Sequence, residues 1–201
     1  MNKIVVLAAH YDDAEIGCAG TLYEHSKKGD EIHLIIFNPE NERSGSSEVR
    51  LIEQQTSLNK LNIPLKNLHL IDSLDDDSLF GITVSKIDEY KADIIFLPYW
   101  DDTHQQHRKV SELGQAALRK RNITGLFYFS GSSINFQPNI FNLIDPNIKS
   151  SILNSFSSQL KNGSLNKNLI TDYCKYCGSI ISDHPFSYAE GFYCRRMRYP
   201  L

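Results

Sequence analysis

The chain has 201 residues, 41% apolar and 22% charged, which suits one domain with an ordinary buried core. Lys plus Arg number 21 and Asp plus Glu 24, a formal charge of −3 that is too near neutral for a protein gripping nucleic acid through its phosphates. No stretch approaches the roughly 20 consecutive apolar residues of a membrane span. The N-terminus turns acidic at Asp12-Asp13 too early for a signal peptide, so the expected location is cytoplasmic. Four cysteines, Cys18, Cys174, Cys177 and Cys194, are too few for a disulfide framework and are expected to be reduced thiols. Cys174 and Cys177 have CxxC spacing, but a structural zinc site needs a second pair, and only His184 and Cys194 are at hand.

Lys3 to Ala9 is an apolar run without alternation, the pattern of a strand buried on both faces of a parallel sheet. A helix is predicted over Glu15 to Lys28, its end marked by Lys27, Lys28 and Gly29. A strand follows at Glu31 to Phe37. The Ser/Gly/Glu-rich loop Asn38 to Ser47 leads into a polar helix reaching about Leu61, stopped before Pro64, and Leu68 to Ile71 reads as a short strand. The unit recurs with a helix around Ser85 to Tyr90, a strand at Asp93 to Pro98, a helix from about His104 to Lys120 and a strand at Gly125 to Phe129. Strands alternating with helices predict an α/β fold with a doubly wound parallel sheet, whose ligands sit beyond the C-terminal strand ends. From Ser130 the alternation stops. An irregular C-terminal cap with one or two helices is expected there, within a single unit spanning residues 1–201. In that cap Ile152, Leu153, Phe156 and Leu160 make an apolar face within Ile148 to Leu160, most simply core or an oligomer contact.

Two clusters carry chemistry. His10-Tyr11-Asp12-Asp13 follows the first strand, where such a sheet opens to ligand, and a strand-to-helix turn lets His10 and Asp13 converge while Asp12 points elsewhere. Asp102-Thr103-His104-Gln105-Gln106-His107 follows the strand ending at Pro98, and His104 and His107, three apart at a helix start, share a face. Two histidines and a carboxylate are a familiar catalytic zinc set, suited to polarising a carbonyl and activating water. The plainer alternatives are an exposed HxxH and an Asp12 or Asp13 that only caps the helix. The run Asp75-Asp76-Asp77 and the tail Arg195-Arg196-Met197-Arg198 read as solvated surface.

The stretch Ala8-Ala9-His10-Tyr11-Asp12-Asp13-Ala14-Glu15-Ile16-Gly17-Cys18-Ala19-Gly20-Thr21 resembles the signature of the LmbE-like (PIG-L), N-acetylglucosaminyl-phosphatidylinositol de-N-acetylase family, which usually reads A-H-P-D-D-x-E-x-G-x-G-G-T. Arg50-Leu51-Ile52-Glu53 resembles its R-x-x-E helix, Asp72 its aspartate after the third strand, and His104 to Val110 its H-x-x-H-x-x-V box. Asn135 to Pro138, Lys149, Ser158-Gln159 and Tyr188 to Phe192 look like its later blocks. The resemblance implies a Rossmann-like hydrolase with one Zn2+ per chain that removes an acyl group, usually acetyl, from an amino sugar such as N-acetylglucosamine. It implies His10, Asp13 and His107 as metal ligands and Asp12 as the base that takes a proton from the attacking water. His104 then stabilises the oxyanion or acts as acid. Arg50 reaches a substrate hydroxyl or phosphate, and Glu53 orients Arg50, with a surface ion pair the alternative for these two. Members are often oligomers, so a homo-oligomer of unstated size is an expectation.

Two positions depart from the pattern. Tyr11 replaces the usual proline, which is expected to loosen the turn without removing a ligand. Gln106 stands where many members carry aspartate before the last histidine, and loss of that carboxylate is expected to lower ligand basicity or metal affinity. Gln106 keeps alive a second hypothesis, a catalytically weak or inactive member that binds a sugar or nucleotide. A dinucleotide fold is disfavoured, because Gly17 and Gly20 miss the G-x-G-x-x-G spacing and two carboxylates there would repel pyrophosphate. Contacts that select the substrate are expected in Asn38 to Ser47 and Ser130 to Asn139.

Overall fold

A computed structural model of the chain describes residues 1–37, 46–72, 78–119, 121–184 and 187–197. Its strands are β1 (Lys3–Ala8), β2 (Glu31–Phe37), β3 (Leu68–Ile71), β4 (Ile94–Pro98), β5 (Thr124–Tyr128), β6 (Ile140–Leu143) and β7 (Ala189–Arg196). Its helices are α1 (Asp13–Lys27), α2 (Ser47–Lys60), α3 (Leu79–Tyr90), α4 (Gln105–Leu118), α5 (Pro146–Leu153), α6 (Ser157–Asn162) and α7 (Lys167–Ile181). The sheet order is β3-β2-β1-β4-β5-β7-β6, parallel from β3 through β5, with β7 antiparallel to both its neighbours.

The doubly wound arrangement follows from strand side chains that alternate faces while both faces are buried. Along β1, Ile4, Val6 and Ala8 enter one apolar layer with Leu34, Ile36 and Phe96. Val5 and Leu7 enter the other with Ile35, Phe37 and Leu97. Neither face of this strand can meet water, so the uninterrupted apolar run was required. Order reversal at β1/β4 leaves a crevice beyond the C-terminal ends of these two central strands, and both sequence clusters lie there.

Beyond β5 the chain is more regular than the expected cap. Its described residues there form three helices and two strands that extend the sheet, and the apolar segment Ile148 to Leu160 is two helices separated at Asn154–Phe156. Ile152, Leu153 and Phe156 are buried in the first apolar layer and Leu160 packs against it, so this face is core. The helix predicted from Ser85 begins earlier, at Leu79. Asp75 to Asp77 and Arg198 lie outside the described residues.

Helix α1 bends at Cys18, where φ is −145°. Two distant side chains satisfy the ends created by the bend. Lys149 Nζ donates to the Ile16 carbonyl at 2.7 Å and pairs with Glu190 Oε1 at 2.6 Å. Glu190 in turn accepts from the backbone N–H of Gly20 at 2.9 Å and Thr21 at 2.7 Å. A cation thus meets the carbonyl end of the first half and an anion meets the amide end of the second, the polarity each helix end favours. Close packing also needs Gly17, since a Cβ there would lie 2.3 Å from the buried ring of Tyr128.

Candidate functional site

The turn after β1 stands on an unusual backbone: Asp12 has φ 87°, the left-handed region that Asp tolerates better than most residues. Asp12 occupies the N-cap position of α1 without a side-chain cap bond, so capping does not account for it. The Asp13 side chain folds back, and its Oδ2 accepts from the N–H of Ala9 at 3.0 Å and of His10 at 2.8 Å. Tyr11, at the position of the family's usual proline, is buried, its carbonyl accepts from Arg50 Nη2 at 2.8 Å, and the guanidinium lies 5.6 Å from its ring centroid.

From the other cluster, α4 presents His104 at its N-cap and His107 on its first turn, with their rings stacked at 4.6 Å. His107 Nε2 is 3.2 Å from Asp13 Oδ1, and His10 Nδ1 is 3.5 Å from Asp13 Oδ2. Ligating nitrogens of His10, His104 and His107 fall within 4.8 Å of one another, the one such group of three among the described residues. Tetrahedral ligation with metal–ligand distances near 2.1 Å separates neighbouring donors by about 3.4 Å, so Asp13 and His107 stand at the right spacing to share an ion. Cys174 and Cys177 belong to no such group; both are buried, free thiols on α7.

Behind His107 is a carboxylate to which sequence reasoning assigned no role. Asp102 Oδ2 is 3.2 Å from His107 Nδ1. Its carboxylate also accepts from the hydroxyls of Ser130, Ser132 and Ser133, the Ser132 bond being 2.7 Å, and from the His104 N–H at 2.8 Å. An imidazole whose far nitrogen faces a fixed carboxylate is held in one orientation and made a stronger donor to metal. Only the fold brings Ser130 and Ser132 beside Asp102, although the proximity of Asp102 to an HxxH pair was a usable signal.

Charge is distributed sharply. Burial works against ionised Asp13, yet His107 at 3.2 Å and His10 at 3.5 Å hold its carboxyl well below the usual range. Burial and then the neighbouring Asp13 push Asp12 well above it, against the pull of Arg50, whose Nη2 is 3.6 Å away. Burial opposes charge on His107, but Asp13 and Asp102 raise it to about 10, so a cation is favoured where these groups converge. Burial, with His107 and His10 close by, lowers His104, which favours its neutral imidazole form.

These groups line a cavity of about 310 Å3 with Arg50, Ser130, Gly131, Ser132 and Gln159, closed on one side by Ile16 and by Leu169 and Ile170 of α7. That is the lower end of the usual range for small-molecule sites, roughly 300–1,000 Å3. Ser130 to Ser132, within the stretch where substrate contacts are expected, line this cavity, whereas residues 38–45 lie outside the described residues and Asp72 is exposed. The expectation that Glu53 orients Arg50 is corrected. Glu53 accepts from the Ser158 N–H at 2.7 Å and from the hydroxyls of Ser157 and Ser158 at 3.1 and 2.7 Å, and so anchors α6. Among the described residues no hydrogen bond joins it to Arg50, because a helix N-terminus with its unpaired N–H is the stronger claimant. Arg50 is itself buried, which rules out the surface-pair alternative.

The family model described as PIG-L, GlcNAc-PI de-N-acetylase, matches residues 5–118, more than half of the chain. Among solved structures, a conserved protein of Thermus thermophilus is 22% identical with a TM-score of 0.79, covering 98% of this chain and 95% of its own. The N,N'-diacetylchitobiose deacetylase of Pyrococcus horikoshii is 15% identical with a TM-score of 0.73, over 96% and 84% of the two chains. The 4-carboxy-2-hydroxymuconate hydratase of Pseudomonas putida is 14% identical with a TM-score of 0.78, over 98% of each. At these identities the likeness establishes the α/β fold, which serves both a deacetylase and a hydratase.

Proposed function

Because the chain belongs to the PIG-L, GlcNAc-PI de-N-acetylase, family, we propose that it is a zinc-dependent hydrolase that removes the acetyl group from an N-acetylated amino sugar. The observation that carries this reading is Asp13, held between the imidazoles of His10 and His107 at the floor of the cavity with Asp12 beside it. The donor chemistry fits: two imidazoles and one carboxylate suit zinc, and Asp102 supports His107 from behind. His10, Asp13 and His107 hold the ion, which when bound polarises the acetyl carbonyl and acidifies water.

The remaining steps belong to this chain's own groups. Asp12 takes a proton from water as its oxygen bonds to the carbonyl carbon, and returns that proton to the nitrogen as the C–N bond breaks, leaving acetate and a free amine. A carboxyl raised by burial has a basicity closer to working pH, which suits both transfers. Neutral His104 donates a hydrogen bond to the developing oxyanion. Arg50, buried at the cavity wall with an unpartnered Nε, binds a hydroxyl or phosphate of the substrate.

The test combines zinc analysis with acetate release from a panel of N-acetyl amino sugars, performed on the same sample. About one zinc per chain is expected, with activity abolished in His10→Ala and His107→Ala. Full deacetylase activity in metal-free protein would refute the reading. Because the fold also serves a hydratase, acetate itself must be measured rather than substrate loss. Tight sugar binding without acetate supports the second hypothesis, an inactive binding member.

A further inference from the structure

Gln106 touches two imidazoles of the site, His10 and His104, and it touches each through a different group. Its side-chain Oε1 lies 2.5 Å from His10 Nε2, and its backbone N–H points to His104 Nδ1 at 3.3 Å. A neutral imidazole carries one proton, and whichever nitrogen accepts a hydrogen bond is the one without it. The backbone N–H of Gln106, the second residue of α4, is one of the helix's unsatisfied donors and must find an acceptor, so His104 Nδ1 is bare and its proton sits on Nε2.

For His10 the argument runs through Asp13. Its Oδ2 is 3.5 Å from His10 Nδ1 and already accepts two backbone N–H groups at 3.0 and 2.8 Å, which occupies its lone pairs. Among the described residues the shortest contact for a ring proton of His10 is therefore the side-chain carbonyl oxygen of Gln106, on Nε2. That leaves Nδ1, the nitrogen nearer Asp13, with its lone pair free.

We propose that Gln106 is a positioning residue that assigns the protons of both imidazoles, presenting His10 as an Nδ1 donor to metal and His104 as an Nε2–H donor to substrate. The first half rests on the reading of His10 as a metal ligand. A neutral amide does this more weakly than a carboxylate would, so the assignment depends on a single uncharged acceptor.

The test uses the full chain with ring-nitrogen-labelled histidine. In metal-free wild type at mildly alkaline pH, nitrogen spectra are expected to show His10 and His104 both protonated on Nε2. In Gln106→Leu, which keeps the backbone donor but removes the side-chain acceptor, His10 becomes a mixture of tautomers while His104 is unchanged. Zinc affinity, measured by competition with a chromophoric chelator, falls about 10- to 100-fold, the usual cost of losing a group that orients a ligand. Gln106→Glu, with an acceptor of the same reach, restores both the His10 tautomer and the affinity. Wild-type His10 protonated on Nδ1, or a Gln106→Leu protein with an unchanged His10 tautomer and affinity within about threefold, overturns the proposal. Absence of zinc binding in wild type refutes the metal reading instead, and the tautomers in metal-free protein still decide the role of Gln106.

Discussion

Replacing Asp12 with Asn separates the base from the metal ligands, because the two neighbouring carboxylates have opposite surroundings. Asp13 accepts two backbone N–H groups and faces two imidazoles, whereas Asp12 has Arg50 Nη2 at 3.6 Å beside it. General-base contributions are typically 10²- to 10⁴-fold, or about 2.7–5.4 kcal/mol at 1.36 kcal/mol per decade. That loss is expected in kcat, with KM within a few-fold, since the amide keeps the shape of the carboxylate. Stability should not fall: Asn tolerates the left-handed φ of 87°, and the substitution removes a carboxylate that burial and Asp13 disfavour when charged. The assay is acetate release at saturating zinc, with zinc content and melting temperature measured on the same preparation. If kcat stays within tenfold of wild type, Asp12 is not the base. If zinc is lost from a folded protein, Asp12 belongs among the ligands.

The bend in α1 gives a second outcome. Glu190→Gln leaves the ammonium of Lys149 buried without its counter-charge and should cost about 3–5 kcal/mol by chemical denaturation, far more than a surface pair; a loss below about 1 kcal/mol would show the bend is held otherwise. Gly17→Ala drives a methyl group into the Tyr128 ring and should cost about 1–3 kcal/mol or more, read as a lower melting temperature. For pH, burial opposes the charge on Asp30, but the hydrogen bond from His25 and those from Asn2 hold its carboxyl below the ordinary value. A carboxylate lowered on folding stabilises above its unfolded pKa, near 3.9, and that stability is lost as pH falls through the lower folded value. Asp30→Asn should therefore be less stable than wild type at neutral pH, and denaturation curves at stepped pH should show the gap closing below about pH 4.

Most of the parallel half of the fold was legible because its signals are local. The apolar runs at β1, β2 and β4 mark strands buried on both faces, and the predicted limits of β2 and β3 match the structure. The position of His10-Tyr11-Asp12-Asp13 and His104 to His107 after two such strands followed from the same reading, since strand ends and helix starts are local and the crevice is a property of the winding. The C-terminal third was not legible. Strand β6 is short, and β7 lies antiparallel at the far side of β5, where its register depends on pairing with distant residues.

What the amino-acid order decided by itself was therefore the winding of the sheet and the identity of the side chains at its open end. What only the tertiary structure decided was how those side chains are supported. Ser130 and Ser132 meet Asp102 across 28 and 30 residues, Glu53 caps a helix 104 residues away, and Glu190 answers amides 170 residues before it. Each such partner is a common polar residue with no periodic signature, and it acquires a role only when packing removes water and leaves a buried donor or charge that must be matched.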